Sequence, residues 1–204
     1  MINAIIFDWA GVISDNVQNV YEVTMAIFRK RNVPEISFEK FRDEWEQPYM
    51  RFYQKYIPDI TLGDETDTFI REITSKPMPH AFPGITEIVK KLHTAGKKLI
   101  VLSGDVKQTI IPEMEKFKIK ELFHEINYAV HDKAAEVQDI VNRNNLDVTK
   151  TVIIGDTVHE TETGKSVGMR TGAVTWGFNK EEKLIKAKPD YIFREVSDLE
   201  TLLS

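Results

Sequence analysis

The sequence predicts an α/β fold, with a Rossmann-like parallel β-sheet core and an inserted α-helical cap domain. Three observations lead to this prediction. Short apolar runs recur between segments with helical periodicity, which is the pattern of a doubly wound sheet. One long stretch near the start shows helical periodicity only. Acidic and hydroxyl side chains follow several of the apolar runs, where such sheets place their chemistry.

Five runs are short, apolar and rich in β-branched residues, as expected of strands buried on both faces. In chain order they are Ala4–Phe7, Leu99–Leu102, Val152–Ile154, Thr171–Val174 and Tyr191–Phe193. Helical spacing separates them. Ile85, Ile88 and Leu92 lie on one face of a helix that starts after Pro83-Gly84 and ends before Gly96. Alternation of this kind predicts parallel strands with right-handed crossovers.

Residues 16–80 interrupt this alternation. They contain no convincing buried strand, but they carry apolar stripes at helical spacing and an aromatic-rich series from Phe38 to Tyr56. Pro77, Pro79 and Pro83 mark the return to the core, because proline cannot continue a helix. The sequence therefore predicts a core of residues 1–15 and 81–204 and a helical cap of residues 16–80.

Composition limits the classes of function. The 204 residues are 42% hydrophobic, enough for one substantial core with a smaller inserted domain. The net charge of −5, with basic residues dispersed, predicts no nucleic-acid partner. The absence of cysteine excludes disulfides and thiolate metal sites. With no signal peptide or membrane span recognisable, the expectation is a cytoplasmic protein with no membrane partner. The sequence does not indicate the oligomeric state.

Four groups of polar residues sit at or after the ends of predicted core elements. They are Asp8, Ser103 with Gly104, Lys133, and Asp156 with Glu160. Together they offer a carboxylate nucleophile, a hydroxyl with backbone N–H donors, a fixed cation and a carboxylate pair for a hard cation. Phosphoryl transfer needs these components. Mg²⁺ is the expected metal, since it binds a few carboxylate oxygens and bridges to phosphate.

The order and spacing of these groups resemble the haloacid dehalogenase superfamily, in the branch with a helical (C1-type) cap after the first strand. The resemblance covers essentially the whole chain. It rests on Asp8-Trp9-Ala10-Gly11-Val12, Leu102-Ser103-Gly104, Lys133, Gly155-Asp156-Thr157-Val158-His159-Glu160, Phe82-Pro83-Gly84-Ile85 and Pro189-Asp190-Tyr191-Ile192.

The resemblance implies a Mg²⁺-dependent hydrolase of a small phosphorylated metabolite, acting through an aspartyl-phosphate on Asp8. A second oxygen of Asp8, the backbone carbonyl of Ala10, and Asp156 would hold the metal. Glu160 would be a direct or water-mediated ligand, although the superfamily more often has Asp at this position.

The resemblance also implies roles for the remaining residues. Ser103 and the N–H of Gly104 would bind phosphoryl oxygens, and Lys133 would offset negative charge. Arg51 in the cap is a candidate for binding a remote anionic group of the substrate.

Ala10 departs from the phosphatase pattern. Phosphatases of the superfamily have an Asp there, which acts as general acid and base and contributes about 10²–10⁴-fold in rate. Alanine occurs there in phosphonoacetaldehyde hydrolase, which the first and fourth motifs resemble and which uses a cap lysine to form a Schiff base. However, Lys40 and Lys55 do not lie in the expected glycine-flanked loop, and Val12 and Lys133 also differ from that enzyme. Three readings therefore stay open: a phosphatase, a hydrolase that cleaves C–P bonds, and a non-catalytic protein that binds phosphate and Mg²⁺.

Overall fold

A computed structural model describes all residues, 1–204. It contains six β-strands and nine α-helices. The strands are β1 (Ala4–Phe7), β2 (Lys98–Leu102), β3 (Glu125–Asn127), β4 (Thr151–Gly155), β5 (Arg170–Val174) and β6 (Tyr191–Phe193). The helices are α1 (Val17–Lys30), α2 (Phe38–Glu44), α3 (Met50–Tyr56), α4 (Leu62–Thr74), α5 (Ile85–Thr94), α6 (Lys107–Phe117), α7 (Lys133–Asn144), α8 (Val158–Ser166) and α9 (Glu181–Lys186).

The strands form one parallel sheet in the order β3-β2-β1-β4-β5-β6. This confirms the predicted α/β core, with every one of the five predicted strands present. The sequence analysis missed β3, an edge strand of three half-buried residues, Glu125–Asn127, with two polar side chains. Such a strand has too few apolar residues to show the buried pattern.

Both faces of the sheet are covered, which explains the continuous apolar runs. Ile5 and Phe7 of β1 point into a cluster of 22 buried residues on one face. Ile6 points to the opposite face, into a smaller cluster with Ile100 and Ile153. Because alternate residues of a strand point to opposite faces, both sets must be apolar.

The first four helices lie between β1 and α5 and pack around a separate cluster of buried apolar residues. Phe28, Phe41 and Phe52 are fully buried within it. Ser37 and Thr61 begin two of these helices, each accepting a hydrogen bond from a backbone N–H three residues later at 3.2 Å. We infer that residues 16–80 form a cap with its own core.

The two connections between core and cap run side by side. The backbone N–H of Asp15 donates to the carbonyl of His80 at 2.9 Å, and that of Phe82 donates to Ile13 at 3.0 Å. This pairing ties the entry and exit of the insertion to the end of β1, directly beside Asp8. No helix combines the length and the apolar character needed to cross a membrane.

Candidate active site

The predicted chemical groups converge at the carboxyl edge of the sheet. Asp8, Ser103 and Asp156 each directly follow a central strand, and Lys133 is the first residue of α7. The neighbouring order β2-β1-β4 places the three strand ends side by side. These four residues line one cleft, which encloses about 630 Å³ of unfilled space that is partly open to solvent.

Lys133 occupies the centre of the cluster. Its ammonium donates to Asp8 Oδ2 at 2.8 Å and to Glu160 Oε1 at 2.7 Å, and its side chain is only 2% exposed. Burial lowers the pKa of Lys133, but the two carboxylates outweigh this and raise it above its usual value. Lys133 is therefore a fixed positive charge and not a base.

Each carboxylate oxygen of Asp8 accepts a hydrogen bond from a different donor. Its Oδ1 accepts the backbone N–H of Trp9 at 2.7 Å, while Oδ2 accepts from Lys133. Burial raises the pKa of Asp8 to about 6, with Lys133 opposing and Glu160 reinforcing the shift. Asp8 is thus predominantly ionised at neutral pH, which is compatible with the nucleophilic role predicted for it.

Asp156 has one oxygen bound and the other free. Its Oδ2 accepts the backbone N–H of Phe178 at 2.6 Å, whereas Oδ1 is buried with no hydrogen-bond partner. Burial and the charges of Asp8 and Glu160 raise the pKa of Asp156 well above its ordinary value. Burying a carboxylate oxygen without a hydrogen-bond partner costs free energy, and a cation bound to this atom would offset that cost.

The carboxylates fit a divalent metal. Asp8, Asp156 and Glu160 each offer an oxygen within 4.8 Å of the others. An all-carboxylate donor set suits a hard cation such as Mg²⁺, which keeps several waters and binds through one or two protein carboxylates. The unpartnered Oδ1 of Asp156 is the atom best placed to receive it.

Glu160, unlike Asp156, has protein partners on both of its oxygens, and one of these oxygens accepts two hydrogen bonds. Oε1 binds Lys133, and Oε2 accepts from the Thr157 N–H at 3.2 Å and the Thr157 hydroxyl at 2.5 Å. Thr157 in turn caps α8, so the pair forms a capping box. The extra methylene of Glu160 lets it fold back onto the start of its own helix while still reaching Lys133.

Ser103 and Gly104, the residues predicted to bind phosphoryl oxygens, also line the cleft. Ser103 is buried, and its Oγ accepts the backbone N–H of Asp105 at 3.0 Å, which leaves the hydroxyl proton free to donate to a ligand. Tyr49 of the cap packs over Gly104, since a Cβ built on this glycine would lie 3.9 Å from the tyrosine ring.

Comparisons with known proteins agree with this geometry. The sequence profile of haloacid dehalogenase-like hydrolases matches residues 5–174. The chain belongs to the haloacid dehalogenase-like hydrolase family. It is 23% identical to a phosphoglycolate phosphatase of Synechococcus elongatus over 208 residues, covering 97% of this chain and 95% of that protein. It is 26% identical to the pyrophosphatase PpaX of Halalkalibacterium halodurans over 124 residues, covering 58% of this chain and 57% of the relative.

Solved structures share the fold. A haloacid dehalogenase-like hydrolase from Streptococcus pneumoniae superposes with a TM-score of 0.85 at 19% identity, over 100% of this chain and 99% of that one. The CbbY protein of Rhodobacter sphaeroides, solved with xylulose-(1,5)bisphosphate, gives 0.78 at 15% identity, over 97% and 96% of the two chains. The chain is thus an enzyme of a hydrolase family that includes phosphatases. A particular likeness to phosphonoacetaldehyde hydrolase is not among these findings.

Ala10 lines the cleft beside Asp8, where this haloacid dehalogenase-like hydrolase has a methyl group in place of a titratable side chain. The cleft does contain an acid that the sequence analysis did not single out. Asp105 lies two residues after Ser103, and its Oδ2 is buried without a partner. Burial, together with the charges of Glu113 and Asp8, raises the pKa of Asp105 to about 8.

The cap is closed over the site by contacts with the loop after β5. The indole of Trp45 stacks on Phe178, with ring centroids 5.0 Å apart. Arg42 donates to the carbonyls of Phe178 at 3.0 Å and Gly177 at 2.8 Å. This loop also supplies the N–H that binds Asp156, so the contacts of the cap and the position of this candidate metal ligand depend on the same segment.

Arg51 does not join the cluster. It lies on α3 with an exposed side chain and is not among the residues that line the cleft, so its predicted substrate contact stays a prediction. The cap lysines are also elsewhere: Lys40 and Lys55 are exposed, and Lys55 is paired with Glu44. Lys133 is the only lysine in the lining. The cleft therefore offers no cap lysine for a Schiff base.

Proposed function

We propose that this protein is a Mg²⁺-dependent phosphatase that hydrolyses a small phosphomonoester through an aspartyl-phosphate on Asp8. The observation that carries the proposal is the pairing of Asp8 with the buried ammonium of Lys133, next to the unpartnered Oδ1 of Asp156. This arrangement keeps the nucleophile ionised and concentrates positive charge where a phosphoryl group would bind.

Each residue has a role in the proposed reaction. A carboxylate oxygen of Asp8 attacks phosphorus, and the bond to the leaving oxygen breaks. Ser103 and the N–H of Gly104 donate to the phosphoryl oxygens, while Lys133 offsets their charge. Water then attacks the phosphorus of the aspartyl-phosphate and gives a proton to the Asp105 carboxylate formed in the first step, which releases inorganic phosphate and restores both Asp8 and the protonated Asp105.

Asp8, the carbonyl of Ala10 and Asp156 would hold Mg²⁺, which would supply charge neutralisation at the phosphoryl oxygens. Glu160 binds Lys133 through one oxygen and accepts two hydrogen bonds from Thr157 through the other, so we assign it to positioning Lys133, with any metal contact made through water. Asp8 is then oriented from two sides, by Lys133 and by the backbone N–H of Trp9.

The leaving oxygen needs a proton that Ala10 cannot provide. We assign this role to Asp105, which faces the same cleft and is protonated at neutral pH because burial raises its pKa to about 8. An Asp105→Asn variant should lose about 10²-fold or more in rate on alkyl phosphates, a typical contribution of a general acid. It should lose much less on p-nitrophenyl phosphate, whose leaving group needs no proton. Equal losses on both would contradict the assignment.

The test of the proposed function is a panel of phosphomonoesters, with pyrophosphate and phosphonoacetaldehyde added, assayed with Mg²⁺ and with a chelator. We expect Mg²⁺-dependent release of phosphate that falls at least about 10³-fold in Asp8→Asn, as expected when a nucleophile is removed. The matched control is Asp15→Asn, which makes the same change at an exposed position nearby.

Two outcomes would favour other functions. No turnover of any compound, with a phosphate analogue still binding, would favour the non-catalytic protein. Turnover of phosphonoacetaldehyde with covalent trapping by borohydride would favour C–P bond cleavage. It would also contradict the conclusion that the cleft offers no cap lysine for a Schiff base.

A further inference from the structure

Residues of the cap, together with Phe178 from the loop after β5, form a largely aromatic wall of the cleft. Aromatic rings form most of this wall, and three polar side chains lie among them. The rings belong to Trp45, Tyr49, Tyr53, Phe69 and Phe178, and the polar side chains to Gln47, Glu65 and Thr66. This wall would surround the leaving group of a bound phosphomonoester.

Glu65 is the unexpected member of this wall. It is only 3% exposed, and no basic side chain forms a salt bridge with it. Its carboxylate accepts a long hydrogen bond from the hydroxyl of its neighbour Thr66, at 3.4 Å. Burial raises the pKa of Glu65 to about 7, which the hydroxyls of Thr66 and Tyr53 only partly oppose. A carboxyl group buried in this way either takes up a proton or is stabilised as the carboxylate by a cation that reaches it.

The cleft lining contains no unpaired basic side chain that could neutralise Glu65. Lys133 is the only basic residue in the lining, and it is already paired with Asp8 and Glu160. Asp105 adds a second acid whose Oδ2 has no partner. Asp105 is protonated in the proposed mechanism and supplies no positive charge, so a leaving group with its own carboxylate or phosphate would meet the carboxylate of Glu65 and no free cation.

An ammonium group matches both features of this wall. It can pair with the carboxylate of Glu65, and it is attracted to the faces of aromatic rings at short range. Tyr49 and Tyr53 line the same cleft as Glu65. Burial and then the Glu65 charge raise the pKa of both phenols, which keeps them un-ionised. The wall thus combines one anionic group with several neutral aromatic faces.

We propose that the substrate is a phosphomonoester whose leaving group carries a protonated amine, and that Glu65 is the residue that selects it. The inference rests on the proposed phosphatase function and adds the chemical class of the leaving group. It sets this chain apart from phosphoglycolate hydrolysis, since glycolate would bring a carboxylate against Glu65.

The test compares three series of alkyl phosphates, with chains of two to four carbons, that end in an ammonium, a hydroxyl or a carboxylate. For the unaltered protein with Mg²⁺, the best ammonium ester should exceed the carboxylate ester of equal length in kcat/KM by about 10- to 100-fold, the range expected for a charged hydrogen bond. In Glu65→Gln, the advantage of the ammonium ester over the hydroxyl ester should fall about 10-fold or more. The control Asp67→Asn removes a charge from the exposed side of the same helix and should keep the full preference.

The outcomes separate the two proposals. Turnover of the esters with no ammonium preference, or with a preference that survives in Glu65→Gln, overturns this inference and leaves the phosphatase function standing. No turnover of any ester or of p-nitrophenyl phosphate overturns both. The comparison within the unaltered protein stands even if Glu65→Gln fails to fold.

Discussion

Replacing Lys133 by methionine isolates the electrostatic role of the buried ammonium. Methionine fills a similar volume, so the packing loss is small and the change removes mainly the positive charge. The variant leaves Asp8, Asp156 and Glu160 as three buried carboxylates with oxygens within 4.8 Å of one another. Removal of one partner from a buried ion pair typically costs about 3–5 kcal/mol, because the remaining charge is left uncompensated.

This cost predicts a large change in thermal stability. For a chain of this size, each kcal/mol lowers the Tm by about 2–4 °C, so Lys133→Met should melt about 6–20 °C below the unaltered protein. The assay is thermal unfolding followed by circular dichroism at pH 8 in a chelator. Lys186→Met, an exposed lysine with no salt bridge, is the control and should change the Tm little.

The pH dependence of the difference gives a second check. Lys133 helps to hold the pKa of Glu160 below its ordinary value, against the effect of burial. Without Lys133, burial raises the folded pKa of Glu160 above the unfolded value of about 4.5, so the variant is destabilised at high pH and recovers as this carboxyl takes up a proton on acidification. The Tm difference should therefore shrink on going from pH 8 towards pH 4, and also on adding Mg²⁺. A Lys133→Met protein that melts within about 2 °C of the unaltered one at pH 8 in chelator would refute the reasoning.

Three further predictions concern stability and metal binding. Because the folded pKa of Glu65 is about 7 against 4.5 for a free carboxyl, this residue should cost up to about 3 kcal/mol as the pH rises through that interval. Urea unfolding at pH 5 and pH 8 should show that Glu65→Gln removes this loss; an unchanged pH dependence would contradict it. Trp9 Nε1 donates to the buried Glu113 at 2.7 Å, so Trp9→Phe should lower the free energy of unfolding by about 1–3 kcal/mol, and adding Glu113→Gln should restore part of it in the same urea assay. A Cβ on Gly177 would overlap the carboxylate of Asp156. Gly177→Ala should therefore raise the Mg²⁺ concentration needed for half-maximal activity about 10-fold. The control Gly63→Ala, where a Cβ meets nothing within 4 Å, should bind Mg²⁺ as before.

The position of the site could be predicted because it depends on strand ends. Asp8, Ser103 and Asp156 follow apolar runs that are recognisable in the sequence, and parallel strands place their carboxyl ends at one edge. The edge strand β3 escaped prediction because its short, half-buried sequence has little apolar pattern. The Lys133 contact with Glu160 was also not predicted, since the side chains are 27 residues apart and meet only through the packing of α7 against α8.

Residues that lack a local signal were missed. Asp105 is one acid among many in the sequence, and only its burial beside Ser103 distinguishes it. Glu65 lies in a helix whose other acidic residues are exposed or half-buried, so periodicity gave no reason to select it. Phe178 is sequence-distant from both Asp156 and Trp45, yet it binds one through its N–H and stacks on the other.

The sequence by itself determined the α/β class, the strands that the polar groups follow along the chain, and the absence of an acid at position 10, which is Ala10. These are properties of local pattern and residue identity, which do not depend on how distant segments meet. Only the tertiary structure decided that Glu160 is held by Lys133 and Thr157, that Asp156 keeps one oxygen free, and that an unpaired Glu65 faces the substrate cleft. The physical reason is that burial and charge pairing arise between residues far apart in the chain, and these set the pKa and the partner of each carboxylate.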